Sequence, residues 1–175
     1  GTGTNMAVAV DRSLVGKPLP PTVGNPDEML FNMECGNFEG VRSIQTPYDR
    51  GLNADSDSQG QLLEKMISGR YLGEVVRLVV NDVSSKSDDF SVWDRPNSAF
   101  GIPYGFTTEH LSDIAHDNTT ELTGTGMLLR RSGVGASEPR ERRLLKEICQ
   151  MVAGRSSRMV AMSIAATALY IDPHL

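Results

Sequence analysis

Cysteine is scarce in this chain. Two of them, Cys35 and Cys149, occur in 175 residues, and neither sits in a Cys-x-x-Cys pair. That excludes a disulfide scaffold, leaves two reduced and mostly buried thiols, and fits a cytosolic setting. No apolar run reaches the roughly 18 residues of a transmembrane helix, and no signal-peptide pattern opens the chain. Aromatics are 6% of residues, with one Trp, and no basic run is interleaved with them. With a net charge of −5, nucleic acid is excluded as a general partner. The histidines His110, His116 and His174 show no metal-ligand spacing. No Gly-x-Ser-x-Gly or Cys/His nucleophile set is present.

What is there is an ordinary globular composition, 39% hydrophobic and 22% charged. Its length allows one domain or one lobe of a larger protein. At that size about 70% of the unfolded surface can be buried, so a real core is available. Met6 to Val10 (MAVAV) and Met29 to Glu34 (MLFNME) read as short strands that pair around a proline-rich loop, Lys17 to Asp27. Gly40 to Gly60 reads as irregular. A long helix is predicted from about Gln59 to Val83. Met66, Gly69, Gly73, Val76 and Val80 share one of its faces. Two glycines inside a helix cost about 1 kcal/mol each against alanine, which predicts close approach by another backbone.

Trp93 is expected to pack the Ser84 to Gly105 loop onto the body. Thr108 to Ala115 reads as a short helix capped by Thr107 or Thr108. Glu121 to Arg131 reads as a weaker helix, interrupted by Gly124 and Gly126. Ser137 to Tyr170 is the second long helix, with Ser137 as its cap. Its small-residue segment Ala161 to Ala168 is expected to pack tightly. Arg140, Arg142, Arg143 and Lys146 read as a solvated face. The chain opens at Gly1 without an initiator Met, and its glycine-rich turn follows no strand, so it reads as cut from a longer polypeptide.

Three features could carry chemistry. Gly1-Thr2-Gly3-Thr4-Asn5 is a candidate phosphate turn, because two glycines let backbone N–H groups approach an anion. Glu34 ends an apolar strand, where a carboxylate is costly to bury unless paired or used. Glu64 stands near a helix start, where the dipole favours it. On spacing alone the turn can be a plain turn, and both glutamates can be surface groups.

Taken together, four segments resemble the hexokinase family of sugar kinases. They are Gly1-Thr2-Gly3-Thr4-Asn5, Asn32-Met33-Glu34-Cys35-Gly36-Asn37-Phe38, Tyr48-Asp49-Arg50 followed by Leu62-Leu63-Glu64-Lys65-Met66-Ile67-Ser68-Gly69 through Tyr71-Leu72-Gly73-Glu74, and Arg155-Ser156-Ser157-Arg158. The resemblance implies an α/β, actin-like (ribonuclease H-like) sugar-kinase fold. The chain would form a large-lobe segment, residues 1–175, with long helices on a small sheet and with family sequence missing at both ends. It implies transfer of the ATP γ-phosphate, with Mg²⁺, to the 6-hydroxyl of a hexose such as glucose. Asn5, Asn32, Glu34 and Glu64 would contact the sugar. Gly1, Thr2, Gly3 and Thr119 would lie by the nucleotide.

The general-base Asp would precede Gly1, leaving the isolated segment inactive, and the expected partners are hexose, ATP and the rest of a cytoplasmic hexokinase chain. Cys35 stands where the family usually has an aromatic, which predicts a looser sugar pocket. A non-catalytic, sugar-sensing relative is the second reading, separated from the first by the residue at that Asp position.

Overall fold

A computed structural model describes residues 3–17, 27–55, 60–87, 93, 96–172 and 174. Strand β1 (Ala7–Asp11) and strand β2 (Glu28–Asn32) pair antiparallel, with Ala7 opposite Asn32 and Asp11 opposite Glu28. The expected pairing is present. The apolar run Met6 to Val10 predicts a buried first strand, but both strands alternate half-buried and exposed residues, and Leu30 is 72% exposed. This is a one-sided sheet, whose apolar residues on the other face meet solvent. Most of the proline-rich loop lies outside the described residues.

The segment expected to be irregular, Gly40 to Gly60, is regular over most of its described residues, 56–59 lying outside them. A 3-10 stretch at Glu39–Ile44 leads into helix α1 (Pro47–Ala54). Thr46 caps α1 through its hydroxyl, Asp49 returns the bond to the cap backbone, and Pro47 holds the first helical position. Thr-Pro-x-Asp is a helix-start signal that the polar composition around it obscured.

The long helix predicted over residues 59–83 is two helices. Helix α2 (Leu62–Ile67) and helix α3 (Leu72–Lys86) are separated at Ser68-Gly69-Arg70. A continuous helix would bond the Tyr71 N–H to the Ile67 carbonyl. Tyr71 instead bonds the Ser68 carbonyl, and the Ile67 carbonyl accepts the Ser156 hydroxyl at 3.2 Å. Gly69 is therefore an exposed turn residue rather than a packing glycine. Gly73 meets the expectation of close approach: a Cβ there would lie 2.3 Å from the Phe106 carbonyl oxygen.

Helix α4 (Thr108–His116) is capped by Thr107. Helix α5 (Thr123–Arg131) runs through both of its glycines without interruption. These glycines sit where neighbours press in, Gly124 against the Asp117 carboxylate and Gly126 against the Arg142 guanidinium. Helix α6 (Pro139–Ile171) is 33 residues long and is capped by Glu138, one residue later than predicted. The Ser137 hydroxyl accepts from Arg142 Nε instead, at 3.0 Å. The small residues Ala161, Ala165 and Ala166 of α6 are exposed, against the expected tight packing.

The main core joins α3, α4, α5 and α6 through Val76, Ile114, Leu129 and Leu145. Trp93 is buried on it as expected, 5.4 Å from Phe100, which stacks 4.8 Å from Phe106. A smaller core of Val41, Leu62, Leu63, Met66, Ile67 and Met159 lies under α2. It fixes the helix that carries Glu64.

Candidate functional site

Three segments far apart in sequence meet at the ends of the strands. Asn5 precedes β1, Asn32 ends β2, and Glu34 opens the 3-10 turn at Cys35–Asn37. The Asn5 amide donates to Asn32 Oδ1 and, at 3.5 Å, to Glu34 Oε1. The Asn32 amide donates to the same Glu34 oxygen. Asn5 Oδ1 accepts the N–H groups of Met6 at 2.8 Å and Cys35 at 3.3 Å, tying the two strands together. Glu34 holds left-handed backbone at φ 49°. For a residue with a side chain this costs about 1–3 kcal/mol, and such strain clusters at functional positions.

Glu64 enters from the third segment, in the first turn of α2, where the helix dipole favours a carboxylate. Its Oε2 accepts the Thr4 N–H at 3.0 Å. A Cβ on Gly36 would lie 3.1 Å from the Thr4 carbonyl oxygen and 3.2 Å from Glu64 Cβ. Gly36 therefore lets the strand end and α2 approach. Behind Glu64, Lys65 is buried and donates to Asn53 Oδ1 at 2.8 Å. Burial pushes its ammonium pKa down, and the neighbouring Glu64 charge pulls it partly back.

Thr119 sits in a different cluster. The Asp117 carboxylate accepts from the backbone N–H and hydroxyl of both Thr119 and Thr125, at 2.6–2.9 Å. Lys146 donates to the Asp117 carbonyl at 2.6 Å, and Arg142 to the Glu121 carbonyl at 3.3 Å. These two cations brace the start of α5 rather than forming the solvated face expected of them. Gly3 lies beside Glu64, 3.4 Å from its Oε2 to an added Cβ. Gly1 and Thr2 lie outside the described residues.

A family model described as hexokinase matches residues 1–173. The chain belongs to the hexokinase family. It is 34% identical over 166 residues to Hexokinase-1 of Oryza sativa subsp. japonica, covering 94% of this chain and 33% of that protein. It is 36% identical over 168 residues to Hexokinase-3 of Arabidopsis thaliana, covering 94% and 32%. Among solved structures, the hexokinase of Schistosoma mansoni complexed with glucose superposes with a TM-score of 0.78 at 30% identity, over 94% of this chain and 37% of that one. The fold is therefore the actin-like sugar-kinase fold that the motifs implied. The chain spans about a third of the length of the curated relatives it matches.

A contact that neither periodicity nor motif reading predicted joins α1 to α6. Arg155 of α6 donates to both oxygens of Asp49 in α1, at 2.9 and 2.7 Å. Both residues lie in quoted family segments, yet 106 positions separate them, so no local pattern could pair them. Cys35 stands beside a groove. Its half-buried thiol lines a space of about 560 Å³ together with Met6, Met33, Phe38, Thr167 and Tyr170. Cys149 is buried, and burial pushes its thiol up to about 12, which makes it a poor nucleophile.

Asp117 gives this hexokinase segment a predictable acid response. Burial alone would raise its carboxyl, but the hydrogen bonds from Thr119 and Thr125 outweigh it and hold the pKa far below the ordinary 3.8. A depressed folded pKa adds stability above the unfolded value, and that stability is lost as pH falls below it. Stability should therefore drop steadily below about pH 4. Asp117→Asn should flatten that slope while destabilising the protein at neutral pH. Urea midpoints measured from pH 7 to pH 2 test this, and parallel curves for both proteins would refute it.

Proposed function

We propose that this chain forms the acceptor side of the sugar site in a phosphotransferase that moves the γ-phosphate of ATP to the 6-hydroxyl of a hexose such as glucose. The single observation behind this is the meeting of Asn5, Asn32, Glu34 and Glu64, from three segments, at one end of the sheet. Carboxylates accept hydrogen bonds from sugar hydroxyls, and amides both donate and accept. The amide–carboxylate chain through Asn5, Asn32 and Glu34 holds these groups in place before a sugar arrives. Holding an acceptor in line for phosphoryl transfer is the main part of such catalysis.

In the reaction, the bond from the γ-phosphorus to the ADP oxygen breaks as one to the sugar 6-oxygen forms. The hydroxyl proton leaves to a base, a role we assign to no described residue. ATP is the second substrate. We assign its phosphates to the Gly1-Thr2-Gly3 turn and its neighbourhood to Thr119. Mg²⁺ would come with the ATP phosphates, needing one or two carboxylates and water rather than a dedicated protein cage; among the described residues no group of three His, Cys, Asp or Glu forms such a cage. No step is derived through the ion. The free cysteines Cys35 and Cys149 support a reducing compartment such as the cytoplasm. Among the described residues no helix is long and apolar enough to cross a membrane.

Calorimetric titration of glucose into the full polypeptide that carries this chain tests the assignment. A hydrogen bond to a charged group contributes about 1.5–3 kcal/mol. Glu34→Ala and Glu64→Ala should each therefore weaken glucose binding by about tenfold to a hundredfold. Unchanged affinity in both variants would sink the sugar assignment.

A further inference from the structure

Glu64 is joined to the glycine turn as closely as to the strand end. Its Oε2 takes the Thr4 N–H at 3.0 Å across 60 residues of sequence. The same oxygen lies 3.4 Å from where a Cβ on Gly3 or on Gly36 would stand. Glycine at position 36 lets the strand end close on Glu64, since a Cβ there would lie 3.2 Å from Glu64 Cβ and 3.1 Å from the Thr4 carbonyl oxygen. The helix beneath is fixed, since Leu62, Leu63 and Met66 of α2 are buried in the smaller core with Met159 of α6. The turn itself precedes β1 and has no ladder partner at Gly3, Thr4 or Asn5. A charge-assisted bond from a fixed helix to a backbone N–H is therefore well placed to set the position of that turn.

We infer that Glu64 is a positioning residue for the Gly3-Thr4 turn as well as a sugar contact, so that removing its side-chain acceptor disorders that turn even when no sugar is bound. The inference rests on the proposed hexokinase reading for the ligands it names. Its physical basis is the single Thr4–Glu64 bond. Glu64→Gln keeps an amide oxygen that accepts from Thr4. Glu64→Ala removes the acceptor. Glu64→Asp keeps the charge but withdraws it by one methylene.

The test uses the full polypeptide without sugar. In Glu64→Ala, hydrogen exchange at the Thr4 amide should accelerate, and MgATP should bind about tenfold more weakly. Glu64→Gln should retain the wild-type values for both while losing glucose affinity. Wild-type exchange at Thr4, or wild-type MgATP affinity, in Glu64→Ala would overturn the inference. If Glu64→Ala does not fold, Glu64→Asp takes its place with the same expectations. Glucose affinity that no variant alters would sink the sugar reading instead, and the Thr4 exchange rates would still decide the positioning role.

Discussion

Asp49→Ala is expected to destabilise the protein by about 3–5 kcal/mol, because it leaves the Arg155 guanidinium without its carboxylate. The Asp49 side chain is 2% exposed and that of Arg155 25%. Besides the two bonds from Arg155, Asp49 accepts the N–H of Thr46 at 2.7 Å and its hydroxyl at 2.6 Å. One carboxylate thus caps α1 and clamps it to α6. Asn53 on α1 in turn receives Lys65 of α2, next to Glu64. Losing the clamp should therefore loosen the helix that presents Glu64 as well as lower stability. Chemical denaturation of Asp49→Ala, Arg155→Ala and the double variant measures the coupling. The double variant should lose less than the sum of the two single losses. A loss under about 1 kcal/mol in Asp49→Ala would show that the pair behaves as an exposed one.

Gly73→Ala is the second large effect, and its sign runs against helix propensity. Alanine is favoured over glycine inside a helix by about 1 kcal/mol. At Gly73, however, the new Cβ would stand 2.3 Å from the Phe106 carbonyl oxygen, 2.4 Å from the Thr107 carbonyl carbon and 2.7 Å from the Thr108 nitrogen. These are backbone atoms, so no rotamer change relieves the clash. Helix α3 and the start of α4 must separate. That strains the bond from the Gly73 N–H to the Thr108 hydroxyl at 3.0 Å and the bond from the Tyr104 N–H to Glu74 at 2.7 Å. A net loss of about 2–3 kcal/mol or more follows from overpacking of this kind. Gly51→Ala is the matched control. It also lies within a helix, but its Cβ meets nothing within 4 Å, so it should stabilise by about 0.4–1 kcal/mol. Thermal unfolding of the two variants should move in opposite directions. A stabilised Gly73→Ala would refute the close-approach account.

The two glycines of the helix predicted over Gln59 to Val83 illustrate how far pattern reading goes. Periodicity put Gly69 and Gly73 on one helical face, and that was right only for Gly73. The helix ends at Ile67, whose carbonyl accepts the hydroxyl of Ser156, 89 residues away, while the Tyr71 N–H goes to Ser68. Such a partner is invisible in a local window. Thr46 and Asp49 show the reverse case, a cap legible in four residues but masked by the polar sequence around it. At α6 the cap is Glu138, which forms a capping box with Glu141, while the Ser137 hydroxyl accepts from Arg142.

The sequence by itself determined the strand pair, the helical character of α3 to α6, the family, and the identity of the residues offered as ligands. These follow from local periodicity, capping chemistry and short motifs, which act over a few residues. Tertiary structure alone decided that Asn5, Asn32 and Glu34 form one hydrogen-bonded chain, that Glu64 holds Thr4, and that Asp49 is neutralised by Arg155. Apart from the local Asn32–Glu34 bond, these contacts join groups 27 to 106 residues apart. Their partners are chosen by which backbones can approach closely, at Gly36 and Gly73 above all, and that depends on the packed shape of several helices together.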